Sequence, residues 1–283
     1  MIQSVLSLMG LGIIASLVLA IASRIFAVEE NPKIEILTEA LPGANCGGCG
    51  YASCEGYATA LVLDGSVPTT KCVVGDSSLP QTLATISGKE AGSVTKQIAF
   101  RHCTKREGNV ATTYQYHGYA SCSSVSTFDR GFDACKYSCL GLGDCVAVCP
   151  FNAMEIVNGL VTIYKDLCTG CNACVEVCPR DVLTLAPVTA RVNILCSTQD
   201  KAKDVMNTCE VGCISCSKCV KACPADAVSF DEYHRIRIDH AKCIAYGPSC
   251  NEVCVEVCPR DILRSAQADY TPKLANTAKE EVA

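Results

Sequence analysis

Two cysteine runs, Cys168, Cys171, Cys174, Cys178 and Cys213, Cys216, Cys219, Cys223, both read CxxCxxCxxxC, and both are followed by proline, Pro179 and Pro224. This spacing constrains the fold more than any hydrophobic pattern in the chain. Three thiolates on one tight loop wrap three irons of a cubane [4Fe-4S] cluster, while the fourth, redirected by the proline, ligates the neighbouring cluster. Such motifs therefore come in pairs. Looser partners are present as Cys135, Cys139, Cys145, Cys149-Pro150 and as Cys243, Cys250, Cys254, Cys258-Pro259. Pairing predicts four ligand sets: Cys135, Cys139 and Cys145 with Cys178; Cys168, Cys171 and Cys174 with Cys149; Cys213, Cys216 and Cys219 with Cys258; Cys243, Cys250 and Cys254 with Cys223. The widened gaps in the looser motifs leave loop shape open but remove no ligand.

Two other uses of thiols compete with this reading. Structural zinc also takes four thiolates from CxxC knuckles, but it has no use for a swapped fourth ligand, and here four fourth cysteines carry a proline. Disulfides suit an even cysteine count, yet thiols two residues apart on one loop are poorly placed for separate bridges. The chain is therefore expected in a reducing compartment. Cysteine makes up 24 of 283 residues and is counted within the 49% apolar fraction, so small modules held by metal fit better than one large core. A net charge of −5, no Trp and no basic run leave nothing for nucleic-acid binding.

A different pattern lies nearer the start, where Cys46, Cys49, Cys54 and Cys72 surround the glycine-rich stretch NCGGCG. The glycines let backbone close around a bulky inorganic core, and iron–sulfur is favoured over zinc. That makes five complete sets. Cys103, Cys122, Cys196 and Cys209 remain, either as buried thiols or as the ligands of a sixth cluster. The histidines, His102, His117, His234 and His240, lack the spacing of a Rieske centre and are read as structural or surface groups. No phosphate-binding glycine loop or hydrolytic nucleophile motif occurs, so nucleotide chemistry is expected on another chain.

Residues 2–22 are apolar over a length that crosses about 30 Å of hydrocarbon as a helix. No Lys or Arg precedes them, which argues for a retained single-pass anchor over a cleaved signal peptide, and Arg24 and Lys33 beyond the run put the cysteine modules on the cytoplasmic side of the inner membrane. Residues 29–41 read as a short helix. The octet CVEVCPRD at 174–181 recurs at 254–261, and Asn158-Gly159 marks a hairpin in the first copy. A second hairpin is read between residues 228 and 238. The expected fold class is α+β: anchor 1–25, N-terminal 4Fe-4S domain with linker 26–100, ferredoxin-like modules 101–195 and 196–265, and a flexible tail 266–283.

Three stretches, ASRIFAVE at 22–29 leading to LPGANCGGCGY at 41–51, YSCLGLGDC at 137–145 and CISC at 213–216, make the chain resemble the B subunits of the Rnf ion-translocating ferredoxin:NAD+ oxidoreductases. The resemblance implies an electron-transfer subunit. It would take electrons from soluble ferredoxin and pass them to membrane partner subunits carrying flavins and the NAD site, with Na+ or H+ translocation coupled. It implies cluster ligation by Cys46, Cys49, Cys54 and Cys72 and by the ferredoxin-type cysteines. Competing classes are a membrane-tethered redox sensor and a structural zinc adaptor, which iron, sulfide and zinc analysis would separate.

Overall fold

The computed structural model describes residues 2–25, 31–105 and 109–266, with side chains along the first helix described for residue 3 and residues 9–24. Helix α1 runs Ile2–Ile25, and Met9, Leu11, Ile13, Ile14, Leu17, Val18, Leu19 and Ile21 are all exposed along it. Among the described residues no helix is long and apolar enough to cross a membrane. The expected membrane span is therefore not supported among the described residues. The expected tail lies, from residue 267 on, outside the described residues, as do residues 26–30, which include the first two residues of the expected short helix.

That short helix is α2, Pro32–Ala40, capped by Asn31, whose side chain accepts from the Lys33 amide. It packs with α3, Cys54–Leu63, and α4, Leu79–Ser87, around Leu37, Tyr57, Leu61 and Leu83. Tyr57 is buried and satisfies its hydroxyl on the Pro68 carbonyl at 2.8 Å.

The first module begins with β1, Gln97–Arg101, and continues with α5, Cys122–Thr127, and α6, Asp144–Ala147. Strands β2, Met154–Val157, and β3, Leu160–Ile163, form the expected hairpin over Asn158-Gly159, both at positive φ as such a two-residue turn requires. Helix α7, Ala173–Glu176, then leads to β4, Leu183–Pro187, which pairs antiparallel with β1. This ladder crosses the expected boundary at residue 100: Ile98 and Phe100 belong to the core with Val161 and Leu183.

The second module repeats the plan with β5, Val192–Ile194, then α8, Ala202–Thr208, and α9, Lys218–Ala222. The hairpin β6, Val228–Phe230, and β7, Ile236–Ile238, is followed by α10, His240–Tyr246, α11, Val253–Glu256, and β8, Leu263–Ser265. Strand β5 pairs with β8 rather than with the module before it, so residues 192–195 join the second copy. Its core is Val192, Ile194, Val228, Ile236, Ile262 and Leu263. Among the described residues three small cores form, each including cysteines of its own region.

Candidate metal centres

Each cysteine motif imposes one backbone shape, whatever its spacing. The residue two before the third cysteine is left-handed in all four: Gly143 at φ 90°, Asn172 at 73°, Ser217 at 61° and Glu252 at 54°, in each case starting a one-turn helix. Three residues after each fourth cysteine, Asn152, Asp181, Asp226 and Asp261 are left-handed too. This conformation costs a non-glycine residue about 1 kcal/mol or more. The widened gaps in two motifs are therefore absorbed upstream of this turn, and the loop that presents the third and fourth thiols is unchanged.

Three fourth cysteines stand beside the thiols of the paired motif. Cys149 lines one pocket with Cys168, Cys171 and Cys174. Cys219 lies within electrostatic reach of Cys213, Cys258 and Cys216, and Cys254 within reach of Cys223, Cys243 and Cys250. Cys46, Cys49, Cys54 and Cys72 line a fourth site with Tyr51 and Tyr57. Among the described residues no three His, Cys, Asp or Glu side chains converge closely enough to share a single ion. The thiols instead stand around open pockets.

The side chains of the expected set of Cys135, Cys139, Cys145 and Cys178 do not all stand together. Cys145 is surrounded by Cys139, Cys122 and Cys178. Cys135 points elsewhere, into a pocket that it lines with Cys103, Cys196 and Cys209. The reason lies in the motif: counted from Cys139, the middle cysteine of CxxCxxC is replaced by Leu142, and Cys122 fills the missing place from outside. Asp144 holds it there. Its carboxylate accepts from the Cys122 amide at 2.9 Å, the Ser123 amide at 3.0 Å and the Ser121 hydroxyl at 3.0 Å. Burial opposes ionisation, but these donors hold the Asp144 carboxyl below its ordinary range. Sequence reasoning missed this exchange of Cys122 for Cys135, although the absent cysteine at 142 was a signal for it.

The residues fit iron–sulfur clusters by their chemistry. The six groups of four thiols use every cysteine in the chain. Burial first, then neighbouring thiolate charge, pushes Cys145, Cys174 and Cys254 up to about 12, so bare thiols there are neutral and a cationic core must displace their protons. Backbone amides point at the sulfurs: Ala99 donates to Cys168 at 3.4 Å and Ala153 to Cys149 at 3.4 Å. Such donors stabilise thiolate and raise the potential of a bound cluster. His102 is buried between the Ile194 carbonyl and the Thr184 hydroxyl, at 2.7 and 2.6 Å, and desolvation pushes it down to about 4.

Successive groups adjoin. A Cβ on Gly48 would lie 2.9 Å from the Cys171 carbonyl oxygen, so the N-terminal site rests directly on the first module, and Cys46 is within electrostatic reach of Cys171. Cys174 is within reach of Cys145.

Comparison with known proteins finds iron–sulfur families over three segments of the chain. Residues 41–74 match a family described as a putative Fe-S cluster, 161–184 a 4Fe-4S binding domain and 212–262 a 4Fe-4S dicluster domain. The chain is 41% identical to the B subunit of the proton-translocating ferredoxin:NAD(+) oxidoreductase complex of Clostridium ljungdahlii, over 90% of this chain and 89% of that one. It is 40% identical to the B subunit of the ion-translocating oxidoreductase complex of Methanosarcina acetivorans, over 92% and 96%. The B subunit of the Na(+)-translocating ferredoxin:NAD(+) oxidoreductase complex of Acetobacterium woodii is 37% identical over 92% and 76%.

Proposed function

Because the chain belongs to the family of B subunits of ion-translocating ferredoxin:NAD(+) oxidoreductase complexes, we propose that it is the membrane-held electron relay of such a complex. Clusters bound to its thiols supply one-electron storage at each site. The observation that carries the reading is the adjacency of successive thiol groups, from Cys46 on the Gly48 turn through Cys171 and Cys174 to Cys145. A protein that only sensed redox state would need one such group. Here the residues keep one group against the next, exclude water with a small core around each module, and aim amides at sulfur. At least five groups bind [4Fe-4S] clusters in this reading.

Helix α1 is the anchor. Its large apolar side chains from Met9 to Ile21 are exposed, which suits lipid and would be costly in water. With Arg24 at its last turn, the modules lie on the cytoplasmic side of the inner membrane. About 20 residues separate α1 from Cys46, so the N-terminal site is tied near the bilayer and serves as the exit to the integral partner subunits. The ferredoxin-like modules project into the cytoplasm and receive electrons from soluble ferredoxin. NAD+ is reduced on another subunit, with Na+ or H+ moved by the complex.

Stopped-flow reduction of the assembled complex by excess ferredoxin tests the direction. With Cys49→Ala, the later clusters should still reduce rapidly while NAD+ reduction stops. Later clusters that stay oxidised in an assembled variant would place entry at the anchor-proximal site instead.

A further inference from the structure

One arginine reaches the last cysteine motif from a distant segment. Arg191 stands immediately before β5, and its guanidinium donates to the Cys250 sulfur at 3.5 Å and to the Gly247 carbonyl. Its other terminal nitrogen lies 3.8 Å from the Glu252 carboxylate. The backbone of Arg191 is fixed as well, because its carbonyl accepts from the Ala266 amide at 2.7 Å, just beyond β8. The side chain is only 18% exposed, so little water screens its charge. These contacts fall on the widened gap. Six residues separate Cys243 from Cys250, whereas two separate Cys168 from Cys171. The extra chain completes α10 and turns at Gly247, whose φ of 78° suits a residue without Cβ, into a 3-10 turn at Pro248–Cys250. Arg191 holds that turn at both its start and its end.

The first module carries a different residue at the matching place. Cys103 and Cys196 pair with each other in an antiparallel bridge, and five residues before them stand Ile98 and Arg191. The strand registers agree: Arg101 lies opposite Leu183 and Ile194 opposite Leu263, each two residues before its cysteine. Ile98 is fully buried in the apolar core. The corresponding thiols of the first module, Cys168 and Cys149, accept from neutral amides, those of Ala99 and Ala153. Cys250 accepts from a cation. Cys243 also lies within electrostatic reach of Arg191, with Glu252 as the opposing charge. A guanidinium suits this place because it stays protonated and its planar fork serves several acceptors at once.

We propose that Arg191 is a positioning residue that raises the reduction potential of the cluster held by Cys243, Cys250, Cys254 and Cys223, and that Glu252 limits the rise. The proposal rests on the relay reading above. Reduction adds one negative charge to a cluster and its thiolates, and a cation donating to one of those sulfurs stabilises the reduced form more than the oxidised one. One electron enters cluster iron, no bond forms or breaks, and the reductant is the ferredoxin that feeds the complex. The bond to Gly247 keeps the charge at a fixed distance from the sulfur. An electron arriving in the second module therefore settles on this cluster more firmly than a strand residue like Ile98 would allow.

The test is a redox titration of the full chain, prepared anaerobically, that follows the paramagnetic resonance signal lost from Cys254→Ala. In Arg191→Gln the midpoint of that signal should fall by the equivalent of a tenfold change in the reduction equilibrium, about 59 mV for one electron. The signal lost from Cys174→Ala should keep its midpoint. Glu252→Gln should move the first midpoint upward, and Arg191→Lys should leave it nearer the unaltered value than Arg191→Gln does. An unchanged midpoint in Arg191→Gln, or shifts of the same sign in Arg191→Gln and Glu252→Gln, would overturn the proposal while leaving the relay standing. If Arg191→Gln loses the iron of this cluster, Glu252→Gln decides, and the absence of an upward shift there overturns the proposal. Should Cys254→Ala remove no iron–sulfur signal at all, the relay reading fails at this site and the proposal with it.

Discussion

The two ferredoxin-like modules are copies that solved one problem differently. In the second, Cys213, Cys216 and Cys219 all come from one loop, and Cys216 is the one exposed thiol among the 24. In the first, the middle position is Leu142 and the thiol comes from Cys122 on α5, a separate segment that Asp144 holds by three hydrogen bonds. A local loop needs only its own turn to present its ligands. A borrowed ligand needs tertiary structure, and the first module, packed between the N-terminal site and the second module, has that structure available. The exchange frees Cys135 to face the second module.

The largest effect expected from this difference is loss of a whole cluster. Cys122→Ala should remove about four iron and four sulfide from the first module, as Cys216→Ala should from the second, since each cubane contains four of each. Retention of all iron in Cys122→Ala, measured by colorimetric iron and acid-labile sulfide, would restore Cys135 to the first module and erase the contrast. Cys178→Ser sharpens it. The damaged signal should be that of the cluster on Cys122, Cys139 and Cys145, with the cluster on Cys168, Cys171 and Cys174 unchanged in Mössbauer and resonance spectra.

Smaller effects follow from what positions the borrowed ligand. Asp144→Ala removes a charged acceptor from three donors, a loss of about 1 to 3 kcal/mol in local stability. Hydrogen exchange should speed up about tenfold or more over residues 121–127, with no change around Ser217, where the second module has no such clamp. The smallest contrast is His102 against Leu195, the residues preceding the paired Cys103 and Cys196. His102 is neutral in the fold because burial pushes it down to about 4, whereas an unfolded chain protonates it near 6.5. The unfolded state then binds more protons between those values, so the stability His102 contributes is present above about pH 6.5 and is lost as pH falls toward 4. Between pH 7.5 and 5.5 the loss is about 1 kcal/mol. The thermal midpoint of the holo chain should fall correspondingly, and His102→Leu should flatten that slope.

Much of the fold is legible in the cysteines because cluster ligation is a local demand. CxxCxxC fixes a left-handed residue and a one-turn helix, the following proline sends the fourth thiol outward, and Asn158-Gly159 fixes a hairpin, all within a dozen residues. The repeat of CVEVCPRD marks two modules, and the cysteine count allows every thiol a place in a group of four. The partition of the six groups was not legible in the same way. Spacing alone assigns Cys135 to Cys139, because they are near in sequence; only the folded chain brings Cys122 across from α5 and turns Cys135 toward Cys196 and Cys209. Strand edges behave likewise, since β1 and β5 pair with β4 and β8 more than 65 residues away. Local sequence determines the shape of each ligand loop, where a few backbone torsions suffice. Which loops share a cluster depends on long-range packing, whose partners are chosen by shape and burial across the whole module and leave no fixed interval in the sequence.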